Sequence, residues 1–289
     1  MIAFVFPGQG SQKRGMGQGL FDAPEYAAVE NDVDAIAGYS MRTLCLEDAD
    51  DRLKQTQFTQ PGLYVVNALH YYKAVREGAR PAWLAGHSLG EYNALLAAGV
   101  FDFLTGLRLV KKRGMLMSQA TNGGMAAVVG MSADKVATVI ERHGLSSIDV
   151  ANFNTPSQTV VSGPVDDIKR AGAFFDQEGA QMYIPLQVSA AFHSRYMADS
   201  ARAFADFLAP MTFAAPKTPV IANATAEPYP TGNASESVKS LLVNQITQSV
   251  QWARTIRFLM SQGVNQFTET GPGNVLTRMV QQVQQSRAA

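Results

Sequence analysis

The chain has 289 residues, of which 46% are hydrophobic and 17% charged, a globular composition that leaves room for one large or two modest domains. Lys and Arg number 24, as do Asp and Glu, so the net charge is zero and predicts neither nucleic-acid nor membrane-surface binding. The single cysteine, Cys45, cannot form an internal disulfide and lies in no metal-ligand spacing; we expect a buried apolar filler. No signal-peptide pattern and no membrane-length apolar run occur, so we expect a cytoplasmic protein.

The first part of the chain predicts alternating strands and helices. A strand at 2–6 is followed by the loop 7–12, which is too rich in glycine to be regular structure. The further elements predicted here are a helix at 59–77, a strand at 81–85, a helix at 91–99 and a helix at 103–119. This order predicts a large α/β domain built on a buried sheet.

The character of the sequence changes near residue 123. From there the predicted segments at 125–129, 135–143, 148–153, 159–162, 166–178 and 181–188 follow the order β-α-β-β-α-β, which is the ferredoxin-like pattern. They are followed by a helix at 196–209, an extended segment at 218–224 and a helix at 236–262. We therefore predict a small domain at 124–188, inserted into a large catalytic domain formed by 1–123 and 189–289.

The pentapeptide at 86–90, Gly-His-Ser-Leu-Gly, has the G-x-S-x-G form of a nucleophile elbow. A short apolar segment precedes it and a helix-forming run follows, which is the strand-turn-helix context that such a turn needs. The turn places the oxygen of Ser88 at a helix N-terminus, where free N–H groups favour developing negative charge. This pattern predicts acyl transfer or hydrolysis through an acyl-serine, with an ordinary strand-to-helix turn as the alternative.

A serine needs a general base, and the chain offers four histidines. His87 adjoins Ser88, but neighbours on an elbow point apart. His70 lies in a predicted helix and His143 at a helix end, so both are expected to be surface or capping residues. His193 follows the predicted small domain, where it could border a cleft, although a structural histidine remains the alternative. No Asp or Glu in 149–178 has a suitable loop context, so a Ser–His dyad with a neutral orienting group is favoured over a triad.

Five motifs in order carry a family resemblance. They are FPGQGSQ at 6–12, GHSLGEY at 86–92, Arg113, AFHS at 191–194 and GPGNVL at 271–276. Over residues 1 to about 280 the chain resembles the malonyl-CoA:acyl carrier protein transacylases and the related acyltransferases of polyketide synthases. The resemblance implies an α/β-hydrolase-like large domain with a parallel sheet, carrying an inserted ferredoxin-like α+β domain.

The resemblance also implies catalytic roles. Ser88 takes the acyl group as an ester, and His193 deprotonates it and then protonates the departing CoA thiolate. Backbone N–H groups of Gln9 and Leu89 bind the oxyanion, and the backbone carbonyl of Gln245 orients the histidine, which explains the missing triad acid.

Three further residues are implied to bind substrate. Arg113 matches the family's carboxylate-binding arginine, and a guanidinium suits that role since it can bind a carboxylate through two parallel hydrogen bonds. The alternative is that Arg113 and its two lysine neighbours form a solvated basic edge. Phe192 favours malonyl over methylmalonyl, because a bulky ring excludes one methyl; the alternative is a core phenylalanine. Asn154 lies in a loop that could contact the phosphopantetheine arm, or in a plain turn.

The implied partners are malonyl-CoA and a holo acyl carrier protein, and we expect a monomer with no bound cofactor and no metal. The segments 55–61, 86–93 and 188–195 look closest to the free-standing acyltransferases that serve polyketide synthases. The alternatives are the housekeeping transacylase of fatty acid synthesis, an acyl-thioester hydrolase on the same fold, and a carrier-protein docking subunit with a relic site. Arg113 argues against the hydrolase, and the intact Ser88, His193 and Gln9 argue against the docking subunit.

Overall fold

The structure, a computed structural model, describes residues 1–286. The described residues form eight strands: β1 (Ile2–Phe6), β2 (Trp83–Gly86), β3 (Gly123–Val129), β4 (Asp149–Thr155), β5 (Gln158–Pro164), β6 (Met182–Pro185), β7 (Val220–Ile221) and β8 (Gln266–Glu269). They also form twelve α-helices: α1 (Pro24–Ala27), α2 (Glu30–Ala37), α3 (Met41–Leu46), α4 (Thr56–Arg76), α5 (Gly90–Ala97), α6 (Phe103–Ser118), α7 (Ala133–Arg142), α8 (Val165–Gln177), α9 (Ala198–Leu208), α10 (Ala234–Thr247), α11 (Trp252–Ser261) and α12 (Val275–Gln285).

One sheet is parallel throughout, with the strand order β7-β2-β1-β8. Strand β1 lies inside this sheet, and its sequence, IAFVF, is apolar at every position because both faces are covered. Phe4 and Phe6 face the main hydrophobic core, whereas Ala3 and Val5 face a second core formed with α11 and α12. The carboxyl ends of β1 and β2 therefore lie side by side between two packed layers of helix.

The other sheet is antiparallel, with the order β4-β5-β3-β6, and its chain path is β-α-β-β-α-β. The side chains of β3 point alternately to the two faces of this sheet. Ala126 and Val128 pack with the helices α7 and α8, whereas Met125 and Ala127 face the main core. The fold is thus a parallel α/β unit with a ferredoxin-like α+β unit, as predicted. The domain boundaries at 124 and 188 remain a prediction.

The single helix predicted at 236–262 is wrong, because two helices, α10 and α11, occupy this range. The chain between them is extended, and Val250 exchanges backbone hydrogen bonds with β4 through Ala151 and Phe153. Pairing with a strand edge thus interrupts a helical pattern. The edge strand β8 was not predicted either, although its position beside β1 completes the parallel sheet.

No helix within residues 1–286 combines the length and the apolar character that crossing a membrane requires.

Candidate active site

Ser88 lies in a turn whose glycines are required by close packing. A Cβ on Gly86 would lie 1.9 Å from the backbone carbon of Gly90, and one on Gly90 would lie 2.0 Å from the carbonyl oxygen of Phe6. Ser88 itself has a left-handed φ of 50°, which is strained for a residue with a side chain. Asn223 stabilises the turn, since its side chain accepts from the N–H of Ser88 and donates to the carbonyl of Gly86, both at 2.6 Å.

His193 is the histidine that contacts the serine. Its Nε2 lies 2.8 Å from Oγ of Ser88, and its Nδ1 lies 2.8 Å from the backbone oxygen of Gln245. A carbonyl can only accept, so Nδ1 carries the proton and Nε2 is the acceptor for the serine hydroxyl. Burial, together with the charge of Arg113, lowers the pKa of His193 to about 3, so the imidazole is neutral at neutral pH.

Arg113 reaches the same serine from the middle of α6. Only 1% of the residue is exposed, so it is no solvated basic edge. Its Nη1 donates to Oε1 of Gln60 at 2.8 Å, and its Nη2 donates to Oε1 of Gln245 at 2.9 Å and to Oγ of Ser88 at 3.1 Å. Within residues 1–286 it forms no ion pair, and its Nε has no acceptor. A buried cation is thus held by neutral amides, with unused donor capacity.

Gln9 and Leu89 both line the cavity that contains Ser88. Neither backbone N–H has an acceptor among the residues that the structure describes, so both could donate to a ligand. Gly8 brings the two together, because a Cβ on Gly8 would lie 3.6 Å from the nitrogen of Leu89. Two free donors, one in the loop after β1 and one at the start of α5, therefore line the same cavity as Ser88.

A buried carboxylate lies in the same network, and the sequence reasoning missed it. Glu91 is fully buried and accepts from Nε2 of Gln245 and the hydroxyl of Tyr229, both at 2.5 Å, and from the N–H of Asn223 at 3.3 Å. Burial raises the pKa of Glu91 to about 7 despite these donors. The signal was available: an acidic residue opens α5, a helix whose following residues are almost all apolar and buried.

The remaining predicted residues lie nearby. Phe192 is 6% exposed and lines the cavity at Ser88. Asn154 instead borders an outer cavity, and its Oδ1 lies 2.9 Å from Nε2 of His87. The ring of His87 packs on Trp252, with centroids 5.5 Å apart, and burial lowers its pKa. His87 is thus packed against Trp252 and hydrogen-bonded to Asn154, and it is not the histidine that contacts Ser88.

Two adjoining cavities lead to the serine. The inner cavity has a volume of about 100 Å³ and is lined in part by Met117, Met125 and Phe192. The outer one holds about 350 Å³, and Gln9 and Leu186 border both. The parts of the chain that the structure describes contain no cluster of three His, Cys, Asp or Glu residues placed to hold a metal ion.

A serine on a nucleophile elbow, with a neutral imidazole at hydrogen-bond distance, is the arrangement of enzymes that work through an acyl-serine. Fold and site thus define this class of protein. Residues 3–289 match the sequence model described as "Acyl transferase domain", and the chain belongs to that family of acyltransferases.

Named relatives and solved structures agree with this assignment. The chain is 49% identical to the polyketide biosynthesis malonyl CoA-acyl carrier protein transacylase BaeC of Bacillus velezensis, covering 100% of this chain and 99% of that protein. It is 38% identical to the malonyl CoA-acyl carrier protein transacylase of Escherichia coli, covering 98% and 92%.

Among solved structures, the malonyl CoA-acyl carrier protein transacylase from Burkholderia pseudomallei is 48% identical, with a TM-score of 0.93 over 99% of this chain and 98% of that one. The structure described as PlMCAT:AntF (holo), a type II polyketide synthase acyl carrier protein in complex with its malonyl-transacylase, is 33% identical. Its TM-score is 0.91 over 98% of this chain and 92% of that one.

Proposed function

We propose that this protein transfers a malonyl group from malonyl-CoA, through an ester on Ser88, to the phosphopantetheine thiol of an acyl carrier protein. The observation that carries the proposal is the guanidinium of Arg113, which lies 3.1 Å from the nucleophile without a carboxylate partner in residues 1–286. A buried cation beside the reacting oxygen favours an acyl group that ends in a carboxylate.

In the first half-reaction, Oγ of Ser88 attacks the thioester carbonyl while Nε2 of His193 takes the hydroxyl proton. The carbon–sulfur bond then breaks, and the CoA sulfur leaves with the proton returned from Nε2. The carbonyl of Gln245 orients the ring and stabilises the transient imidazolium. Because burial disfavours the imidazolium, the proton is passed on rather than retained.

The oxyanion formed in this attack needs donors, and the free N–H groups of Gln9 and Leu89 fit that role. Both lie on the backbone, so they are fixed before substrate binds. Loss of one such donor typically costs about 3–4 kcal/mol of transition-state stabilisation.

In the second half-reaction, the carrier's thiol gives its proton to Nε2 of His193 and its sulfur attacks the ester. The ester carbon–oxygen bond breaks, and the proton returns to Oγ of Ser88. The narrow, largely apolar inner cavity favours the thiol over water, which supports transfer over the hydrolase alternative. The outer cavity would receive the phosphopantetheine arm, with Asn154 at its border.

Specificity within the site follows from two residues. Arg113 lines the inner cavity and would bind the malonyl carboxylate there, exchanging its present contact with Oγ of Ser88 for the substrate. Phe192, buried against the inner cavity, would leave no room for a methyl group on the α-carbon, a discrimination of about 1–3 kcal/mol.

The polyketide setting is favoured by the relatives: identity is 49% to a protein named for polyketide biosynthesis and 38% to the E. coli transacylase. The carrier-bound structural relative supports an acyl carrier protein as partner. We further propose 124–188 as a separate domain bordering the cleft, a monomer as the working form, and the cytoplasm as the compartment, which suits a free, buried Cys45.

Intact-protein mass after brief exposure to malonyl-CoA, acetyl-CoA or methylmalonyl-CoA tests the proposal, with Ser88→Ala alongside. We expect a malonyl adduct on the native chain alone, passed on to an added holo carrier protein. Steady release of CoA without an adduct would favour the hydrolase, and neither adduct nor CoA release would favour a docking subunit.

A further inference from the structure

The side chain of Gln245 lies between the two oppositely charged residues buried beside the nucleophile. Its Oε1 accepts from Nη2 of Arg113 at 2.9 Å, and its Nε2 donates to a carboxylate oxygen of Glu91 at 2.5 Å. Arg113 is 1% exposed and Glu91 is fully buried. A neutral amide therefore connects a buried cation and a buried anion that form no direct ion pair.

The orientation of this amide is fixed by chemistry. A guanidinium can only donate, so it requires the oxygen of Gln245, whereas the Glu91 carboxylate and the carbonyl of Ser88 can only accept, so they require the NH₂ group. A flipped amide would place donor against donor and acceptor against acceptor. Glu91 thus holds the amide with its oxygen toward Arg113.

We propose that the side chain of Gln245 is a specificity-determining spacer, which Glu91 orients, and which keeps the guanidinium of Arg113 positioned but unpaired for a carboxylate on the acyl group. The inference rests on the proposed function and is distinct from the role of the Gln245 backbone carbonyl at His193. An amide oxygen fixes the guanidinium without neutralising it, whereas a carboxylate at the same place would occupy it with an ion pair.

The sharpest test exchanges the two groups in the double variant Glu91→Gln/Gln245→Glu. Atom count and net charge are nearly unchanged, residue 91 can still donate to residue 245, and the backbone carbonyl at His193 stays. The exchange removes two hydrogen bonds: the one from the Gln245 amide to the Ser88 carbonyl, and the one of 3.3 Å from the N–H of Asn223 to the Glu91 carboxylate. Its main effect is to place the carboxylate directly on Arg113.

Two substrates separate selection from general damage: malonyl-CoA, which carries a carboxylate, and p-nitrophenyl acetate, a neutral ester that uses the same serine and histidine but offers Arg113 no carboxylate. At about pH 8, above the pKa of Glu91 of about 7, we expect the exchange to lower kcat/KM for malonyl-CoA by about 10- to 100-fold. The loss in the rate of Ser88 acylation by the neutral ester should be at least about 10-fold smaller than the loss with malonyl-CoA.

Gln60→Glu is the second variant, because it brings a carboxylate to the other side of the same guanidinium from a different helix. The same split between substrates is expected, so the test does not depend on the folding of one variant. Gln282→Glu, at an exposed position of α12, is the matched control for the chemical change and should affect neither substrate.

Equal loss on both substrates would overturn the inference, because the network would then be merely structural. Unchanged malonyl transfer in the folded variants would also overturn it. If wild type reacts with the neutral ester but not with malonyl-CoA, the proposed function fails, and the spacer role fails with it.

Discussion

Replacing Gly8 by alanine should shift the oxyanion donors of the loop at 7–9 relative to the elbow that carries Ser88. The new Cβ would lie 2.4 Å from the carbonyl oxygen of His87, which already accepts from the N–H of Gly90 at 2.9 Å. Since ordinary contact begins near 3.4 Å, the loop at 7–9 or the elbow must move by about 1 Å. A misplacement of that size costs about 10²-fold in rate, and loss of one oxyanion donor costs about 10²–10³-fold.

Single-turnover loading of Ser88 from malonyl-CoA measures the effect, with the unfolding midpoint recorded for each variant. Gly232→Ala is the matched control, because nothing lies within 4 Å of its added Cβ and its φ is outside the left-handed region. We expect slow loading in the Gly8 variant alone, with a cooperative thermal transition that shows the variant to be folded. Loading at the wild-type rate in a folded Gly8→Ala protein would refute the assignment of this loop to the oxyanion site.

Three further predictions follow from the site. Arg113→Ala should lower malonyl loading about 10²-fold or more while sparing acetyl loading, because only malonyl offers a carboxylate; equal losses would contradict the carboxylate role. Phe192→Leu should raise the ratio of methylmalonyl to malonyl transfer about 10-fold by making room for one methyl, and an unchanged ratio would remove Phe192 from specificity. Burial raises the pKa of Glu91 from 4.5 to about 7 on folding, so its stabilising contribution is complete below pH 4.5 and is lost as pH rises through 7. Between these pH values, wild type should therefore lose about 3 kcal/mol of unfolding free energy that Glu91→Gln does not lose, as measured by denaturant unfolding of both proteins. A difference between the two proteins that stays constant with pH would mean that Glu91 does not titrate there.

The features that the sequence predicted are mostly local. Strand β1 is apolar at every position, and the elbow carries its glycines at the two positions where packing leaves no room for a Cβ. Such features depend on neighbours within a few residues, so spacing and residue type suffice to find them. The order of elements at 124–188 likewise determined the ferredoxin-like unit. The family motifs singled out Arg113 and His193, and their contacts with Ser88 are those expected of such a pair.

Long-range pairing, by contrast, was decided by the tertiary structure alone. Residue 250 pairs with the edge of β4 and interrupts a helical pattern, since backbone groups at a free strand edge accept a partner that local propensity does not reveal. The spacer arrangement of Glu91, Gln245 and Arg113 brings together residues from α5, α10 and α6. A buried charge is tolerated only when distant segments supply its hydrogen bonds, and no spacing along the chain records which segments these are. The sequence by itself thus determined the fold class and predicted Ser88 as the nucleophile, whereas the folded chain alone decided which buried groups surround that serine.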